Sequence, residues 1–259
     1  MHARLKIGIG ALGAGVLSLA LGAGMATPAL ATSAGHASAA RVASRPEITV
    51  RGSRNVQESS NWSGYAETGG GYTSVSGSWN VPTADTSQGG TTYGAQWIGI
   101  DGDGDNNLIQ TGTSVVISGH TASYGVWWEI LPAAETPINE PVAPGETITA
   151  SIVKQSSGKW LIKISNGSWS FSITKSYSGP GDSVEAIVEA PEVGGNIAKM
   201  AHTSNVTFSD LTENGANPEL TRGDGIKCVQ NGKTVETPSY VAAGDSFTMA
   251  YGSKRPPRP

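Results

Sequence analysis

The sequence predicts an all-β protein built as one β-sandwich, and three observations carry the prediction. The 259 residues include 35 glycines, and only 15% are charged. Apolar residues recur with period two over short runs, as in Ser183–Glu189, where Val184, Ala186 and Val188 fall on one side of an extended strand. Pro-Gly, Ser-Gly and Asn-Gly pairs punctuate those runs at regular intervals, as hairpin connections do. Long helix-period runs of Leu, Glu and Lys are missing. Two antiparallel sheets packed face to face, of the jelly-roll or concanavalin A-like type, satisfy all three.

The chain opens on a targeting segment. Arg4 and Lys6 precede an apolar stretch from about Ile7 to Ala23, and Ala29–Leu30–Ala31 fits a small-x-small cleavage site. Residues 1–31 therefore read as a signal peptide and the protein as secreted and extracellular, with no membrane attachment after its removal. Residues 32–58 are rich in Ala and Ser, a composition that cannot bury a core, and read as a propeptide or disordered linker. They carry four arginines against two glutamates, whereas the chain from residue 59 onward carries 11 basic and 19 acidic residues. Opposite charge favours a prosegment that sits on the acidic domain at neutral pH and loosens as carboxylates protonate.

Residues 59–251 form the expected sandwich domain. Its strands are read at 61–65, 72–79, 97–100, 108–112, 124–131, 146–153, 159–165, 168–176, 183–189, 206–209 and 246–251. In the 97–100 strand Ile98 and Ile100 face inward, while Trp97, Gly99 and then Asp101 take the other face. Residues 252–259, with three prolines among basic residues, read as a disordered tail. The chain has a single cysteine, Cys228, so a monomer holds no disulfide. A monomer is the expected state, and nothing in the charge pattern calls for nucleic acid.

Several chemistries find no support. The acidic loop from Asp101 resembles the start of a calcium loop, but Asn106 stands where glycine is required and Gly112 where glutamate is, so a tight polar turn is the reading. The four histidines are scattered, with no metal-ligand spacing, so no metal or cofactor is expected. A G-x-S-x-G nucleophile motif is absent. Two glutamates remain on one strand, Glu185 and Glu189, about 13 Å apart at roughly 3.3 Å per residue. That is too far to act on one bond, so a catalytic partner has to come from another strand.

A set of blocks narrows the choice: Asn61–Trp62–Ser63–Gly64, Val75–Pro82, Ala95–Gln96–Trp97–Ile98–Gly99–Ile100–Asp101–Gly102, Leu108–Ile109–Gln110–Thr111–Gly112, Val126–Trp127–Trp128–Glu129–Ile130–Leu131–Pro132 and Val184–Glu185–Ala186–Ile187–Val188–Glu189. In order and spacing they resemble the glutamic peptidases, or eqolisins, of the fungal acid-peptidase type. The resemblance spans most of residues 59–190. It implies a sandwich of two long antiparallel sheets and a catalytic Gln–Glu pair, which falls on Gln110 and Glu189. It places Trp97, Asp101, Trp127 and Glu129 around the substrate cleft, and it implies protein or peptide substrates. There are departures: Ala190 stands where an acidic residue follows the catalytic Glu, Ile130–Leu131–Pro132 replaces an aromatic W-Y-P, Gly125 replaces an Asp, and the fungal disulfides are missing.

The chemistry of the residue types agrees. Glutamine does not titrate, but its NH₂ donates to a developing oxyanion. A glutamate can take a proton from water and return it to the leaving amine. An acid optimum further requires a group that must be protonated, and Glu129, backed by Asp101, is the expected one. Two alternatives stay open at this point. One is a β-sandwich glycoside hydrolase using Glu129 and Glu189. The other is a non-catalytic carbohydrate-binding module using tryptophans and the Asp101 loop.

Overall fold

The computed structural model describes residues 56–259 in full and, of residues 41–42 and 48–50, the backbone. The expected signal peptide and most of the 32–58 segment lie outside the described residues. The N-terminal part of the fold comprises β1 (Arg41–Val42), β2 (Ile48–Val50), β3 (Gln57–Ser59), β4 (Trp62–Thr68), β5 (Ser74–Asn80) and β6 (Thr91–Ile100). There follow β7 (Ile109–Ser118), β8 (Thr121–Ile130), β9 (Thr136–Ile138), β10 (Thr147–Lys154), β11 (Lys159–Ser165), β12 (Ser170–Ser176) and β13 (Ser183–Glu189). The last are β14 (Glu192–Val193), β15 (Asn196–Ile197), β16 (Val206–Glu213), β17 (Gly225–Gln230), β18 (Lys233–Pro238) and β19 (Phe247–Tyr251). One short 3-10 turn, Arg222–Asp224, is the helical element among the described residues.

Most strands hydrogen-bond in one band, β12-β11-β10-β5-β16-β19-β18-β17-β4-β13-β6-β7-β8-β9, to which β3 adds at β17 and β2 at β3, while β1-β14-β15 form a separate three-stranded sheet. The band folds over, so that β5 packs on β6 and β10 and β11 pack on β7. These are the two layers of the expected sandwich, continuous at the β17–β18 side. Bulges at Ser209/Thr212 in β16 and Cys228/Val229 in β17 give the local twist such a turn requires.

The layers close on the inward face of each strand. Ile98, Ile100, Ile109, Val126, Val184, Ala186 and Val188 meet Trp79, Ile148, Ile152, Ile162 and Phe208 in one buried cluster. Trp79, Phe208, Phe247 and Tyr65 form a chain of ring contacts with centroids 4.6–5.9 Å apart. The Trp79 indole also donates across the layers to Thr113 Oγ1 (3.0 Å), whose hydroxyl donates to Gln96 Oε1 (3.1 Å). The inner face thus links three of its polar side chains across the layers, while Gln96 Nε2 is buried without a partner.

Three features go beyond what the sequence indicates. The segment before residue 59 is not wholly without structure: β1 pairs with β14, and β2 pairs with β3. The terminal segment is not a loose tail, because Pro256 is buried, Arg255 donates to Pro238 O (2.6 Å), and the Arg255 and Arg258 guanidinium groups lie 4.4 and 5.8 Å from the centre of the Tyr240 ring. Cation–π contact and a charged donor hold what composition alone reads as free. The hairpins β14–β15 and β17–β18 also escape a reading by alternation. The first is only two residues per strand, and a bulge breaks the period of the second.

Candidate active site

Cross-strand register decides what shares a face. In antiparallel sheets directly paired residues point the same way. Glu189 pairs with Ala95 and with Trp62, Ile187 with Trp97, and Trp97 in turn with Gly112. Gly112 pairs with Trp127, and Gly99 with Gln110, which pairs with Glu129. Gln110, Glu189, Trp97, Trp127 and Glu129 therefore lie on one face of four neighbouring strands, the face turned away from the inter-layer core. Trp62, Trp97, Trp127, Leu108 and Ile187 form a separate apolar cluster there.

Trp97 occupies the middle of this face, one strand and two residues from both Gln110 and Glu189. Its indole lies along the sheet because the neighbouring positions lack side chains. A Cβ on Gly112 would stand 2.6 Å from Trp97 Cβ and run into the Gln96 carbonyl, and one on Gly99 would stand 2.8 Å from Trp97 Cζ3. Trp62 meets Trp97 edge-on, with centroids 4.8 Å apart at 76°.

Two hydrogen bonds fix the polar groups. Trp97 Nε1 donates to Glu189 Oε2 (2.9 Å), and Gln110 Nε2 donates to Glu129 Oε2 (2.7 Å). All four residues are buried. Gln110 and Glu189 stand two strands apart and four residues along, about 10 Å by 13 Å, or roughly 16 Å between Cα atoms. Gln110 Oε1 and the indole N–H groups of Trp62 and Trp127 are buried with no hydrogen bond of their own. Orphaned polar atoms are costly in a native interior and collect where a ligand's groups complete them.

Asp101 stands apart. It is fully buried, accepts from Tyr177 Oη (2.6 Å) and from the Asp182 amide (2.7 Å), and adopts a φ of 68°. That left-handed backbone turns the side chain out of the alternation that pairing would give it, so it ties down the segment 177–183. Burial raises its pKa, opposed by the Tyr177 and Asp182 hydrogen bonds. Glu185, which the sequence shows only as a neighbour of Glu189, is 2% exposed on the same face, and neither of its oxygens is hydrogen-bonded. Burial pushes its pKa well up; the Ser183 hydroxyl opposes this without reaching bonding geometry, and Asp103, Asp101 and Asp105 add to the rise.

Residues 60–251 match the family described as Peptidase A4. The chain belongs to that family, the glutamic peptidases or eqolisins. It is similar to aspergillopepsin-2 of Aspergillus niger, 27% identical over 231 residues that cover 79% of this chain and 82% of that protein. Its fold is similar to a crystal structure of scytalido-glutamic peptidase with a transition-state analogue inhibitor, with TM-score 0.61, 23% identity, and 74% and 98% of the two chains covered. A second similar structure is SCP-B, described as a member of the eqolisin family in complex with the tripeptide Ala-Ile-His, with TM-score 0.59, 24% identity, and 74% and 98% covered. The chain is thus a peptide-bond hydrolase of the glutamic type, and the glycoside hydrolase and carbohydrate-binding readings fall away.

Proposed function

We propose that this glutamic peptidase is a secreted, acid-acting endopeptidase in which Glu189 activates water and Gln110 stabilises the oxyanion. The observation that carries the reading is the pair of hydrogen bonds on one sheet face, Trp97 to Glu189 and Gln110 to Glu129. A water above the Trp97 indole gives up a proton to Glu189 as its oxygen attacks the peptide carbonyl. The carboxamide of Gln110 has two N–H bonds; Glu129 holds one, and the other remains for the carbonyl oxygen as negative charge develops. Glu189 then returns the proton to the departing nitrogen. No acyl-enzyme forms. Trp97 fixes the rotamer of the base and Glu129 that of the donor, so neither has to reorganise during attack.

The N-terminal segment fits a zymogen leader, given its basic charge, its position ahead of the matched region and its pairing with the domain at β1 and β3. Glu129 is also assigned the alkaline limb of activity; Glu129→Gln leaving that limb in place removes the assignment.

The test is cleavage of denatured protein at pH 3–5 by wild type, Gln110→Ala and Glu189→Gln, each checked for a native melting transition. Wild type should cleave in the presence of pepstatin and of chelators. The two variants should lose about 10²–10³-fold in kcat, as removal of an oxyanion donor or a general base does. Folded variants with wild-type turnover would overturn the assignment.

A further inference from the structure

Immediately beyond Glu189 the chain makes a small hairpin, β14–β15, whose turn residues Gly194 and Gly195 have φ of 61° and 80°. Two positive φ values in succession mark the tight turn that matches strand twist, and glycine adopts them without strain. The hairpin is anchored at its base. Ala190 N donates to Asn61 O (2.8 Å), and Ala198 N to Pro191 O (2.9 Å). Gln230 Nε2 donates both to Ala198 O (2.9 Å) and to Ser60 O (3.1 Å), and Gln230 Oε1 accepts from Met200 N (3.1 Å). These contacts set where β14 stands relative to Glu189, three residues and at most about 10 Å of chain away.

β14 has two edges. β15 takes one, and the backbone of Arg41–Val42 takes the other, in antiparallel register with Arg41 opposite Val193 and Val42 opposite Glu192. With residues 41–42 removed, the second edge is open. An edge strand is a template for another extended chain, and its main-chain groups bind without regard to sequence.

We propose that the open edge of β14 is the main-chain docking strand for extended peptide substrates, and that Arg41–Val42 holds that place in the unprocessed chain. This rests on the peptidase reading above. A substrate paired with Glu192–Val193 is held beside Glu189 by backbone hydrogen bonds alone. The leader acts as a tethered competitor, and it blocks by occupying a binding strand, leaving the catalytic pair intact.

The test compares full-length chains, verified intact by mass, carrying Arg41→Pro, Arg41→Ala, Val42→Pro or Val42→Ala. Of two successive residues in such a strand, one turns its N–H to the partner, and proline removes that donor whereas alanine keeps it. One proline variant should lower KM for a peptide substrate about tenfold with kcat unchanged, as loss of a tethered competitor's main-chain bonds requires, and both alanine variants should match wild type. Proline and alanine variants that behave alike would overturn the proposal. Amide hydrogen exchange reads the same edge without turnover. The one amide of residues 192–193 that faces Arg41–Val42 should lose protection in the effective proline variant and regain it with a non-cleavable peptide, but not with the same peptide N-methylated along its backbone. Failure to regain protection overturns the docking edge even if the enzyme is active. Absence of turnover in every form, with exchange behaving as stated, overturns the peptidase reading and leaves the edge as a peptide-binding site.

Discussion

Glu236 is 3% exposed on β18, opposite Cys228 on β17 and opposite Tyr251 on β19. Burial pushes its pKa from 4.5 up to about 8. Folding therefore takes up a proton at intermediate pH, and the sign of the effect follows. Below about pH 4 both folded and unfolded states hold the proton, and the stability is fully present. As pH rises, the unfolded state ionises first, so stability falls until the folded group also ionises near pH 8. Between pH 4 and pH 7 the difference amounts to about 3 kcal/mol, taking 1.36 kcal/mol for each pH unit between the two pKa values. Glu236→Gln keeps the shape and removes the titration. It should match wild type at pH 4 and exceed it by about 3 kcal/mol at pH 7, which in a domain this size is roughly 6–12 °C in Tm. Guanidinium unfolding at half-unit steps from pH 4 to pH 8 measures this directly. A variant that loses stability with pH as steeply as wild type would show that the buried carboxyl is not the cause.

Other outcomes follow from the same geometry. Trp97→Phe keeps an aromatic side chain but replaces the indole with a smaller ring that has no N–H for Glu189, so kcat should fall about tenfold or more with KM little changed in steady-state assays, at least the worth of one charge-assisted hydrogen bond. Gly112→Ala drives a Cβ into Trp97 and the Gln96 carbonyl; urea unfolding should show a loss of about 3 kcal/mol, and activity should fall with it. Tyr177→Phe removes the donor to Asp101 and should cost about 1–3 kcal/mol in stability while kcat holds in the folded protein, which separates Asp101 from the reacting groups. Glu213, whose pKa burial and the neighbouring Glu67 raise to about 7, should contribute to the same neutral-pH weakening, and Glu213→Gln should flatten the stability profile above pH 5.

Alternation in the sequence located most of the strands and separated the inward isoleucines from the face that carries Trp97, because a half-buried strand writes its two environments into every second residue. It also allowed Gln110 and Glu189 to share one sheet face, as the strand register has them. It did not supply the register that puts Trp97 between them, nor the bond that pairs Gln110 with Glu129, since both depend on which strands become neighbours. Asp101 shows a different limit. The family resemblance places it around the cleft; in the fold a left-handed φ just past the strand end turns its side chain to Tyr177. The C-terminal basic residues looked unstructured for want of apolar neighbours nearby in sequence; Tyr240, which they cover, is distant enough that only the folded chain connects them.

Cys228 gives the molecule an internal gauge of its own opening. It is the chain's one thiol, it has no accessible surface, and burial holds it protonated, so a thiol-reactive dye in solution cannot reach it while β17 and β18 stay joined. Its labelling rate, divided by that of a free thiol at the same pH as acid gives way to neutral buffer, reports how often that seam parts.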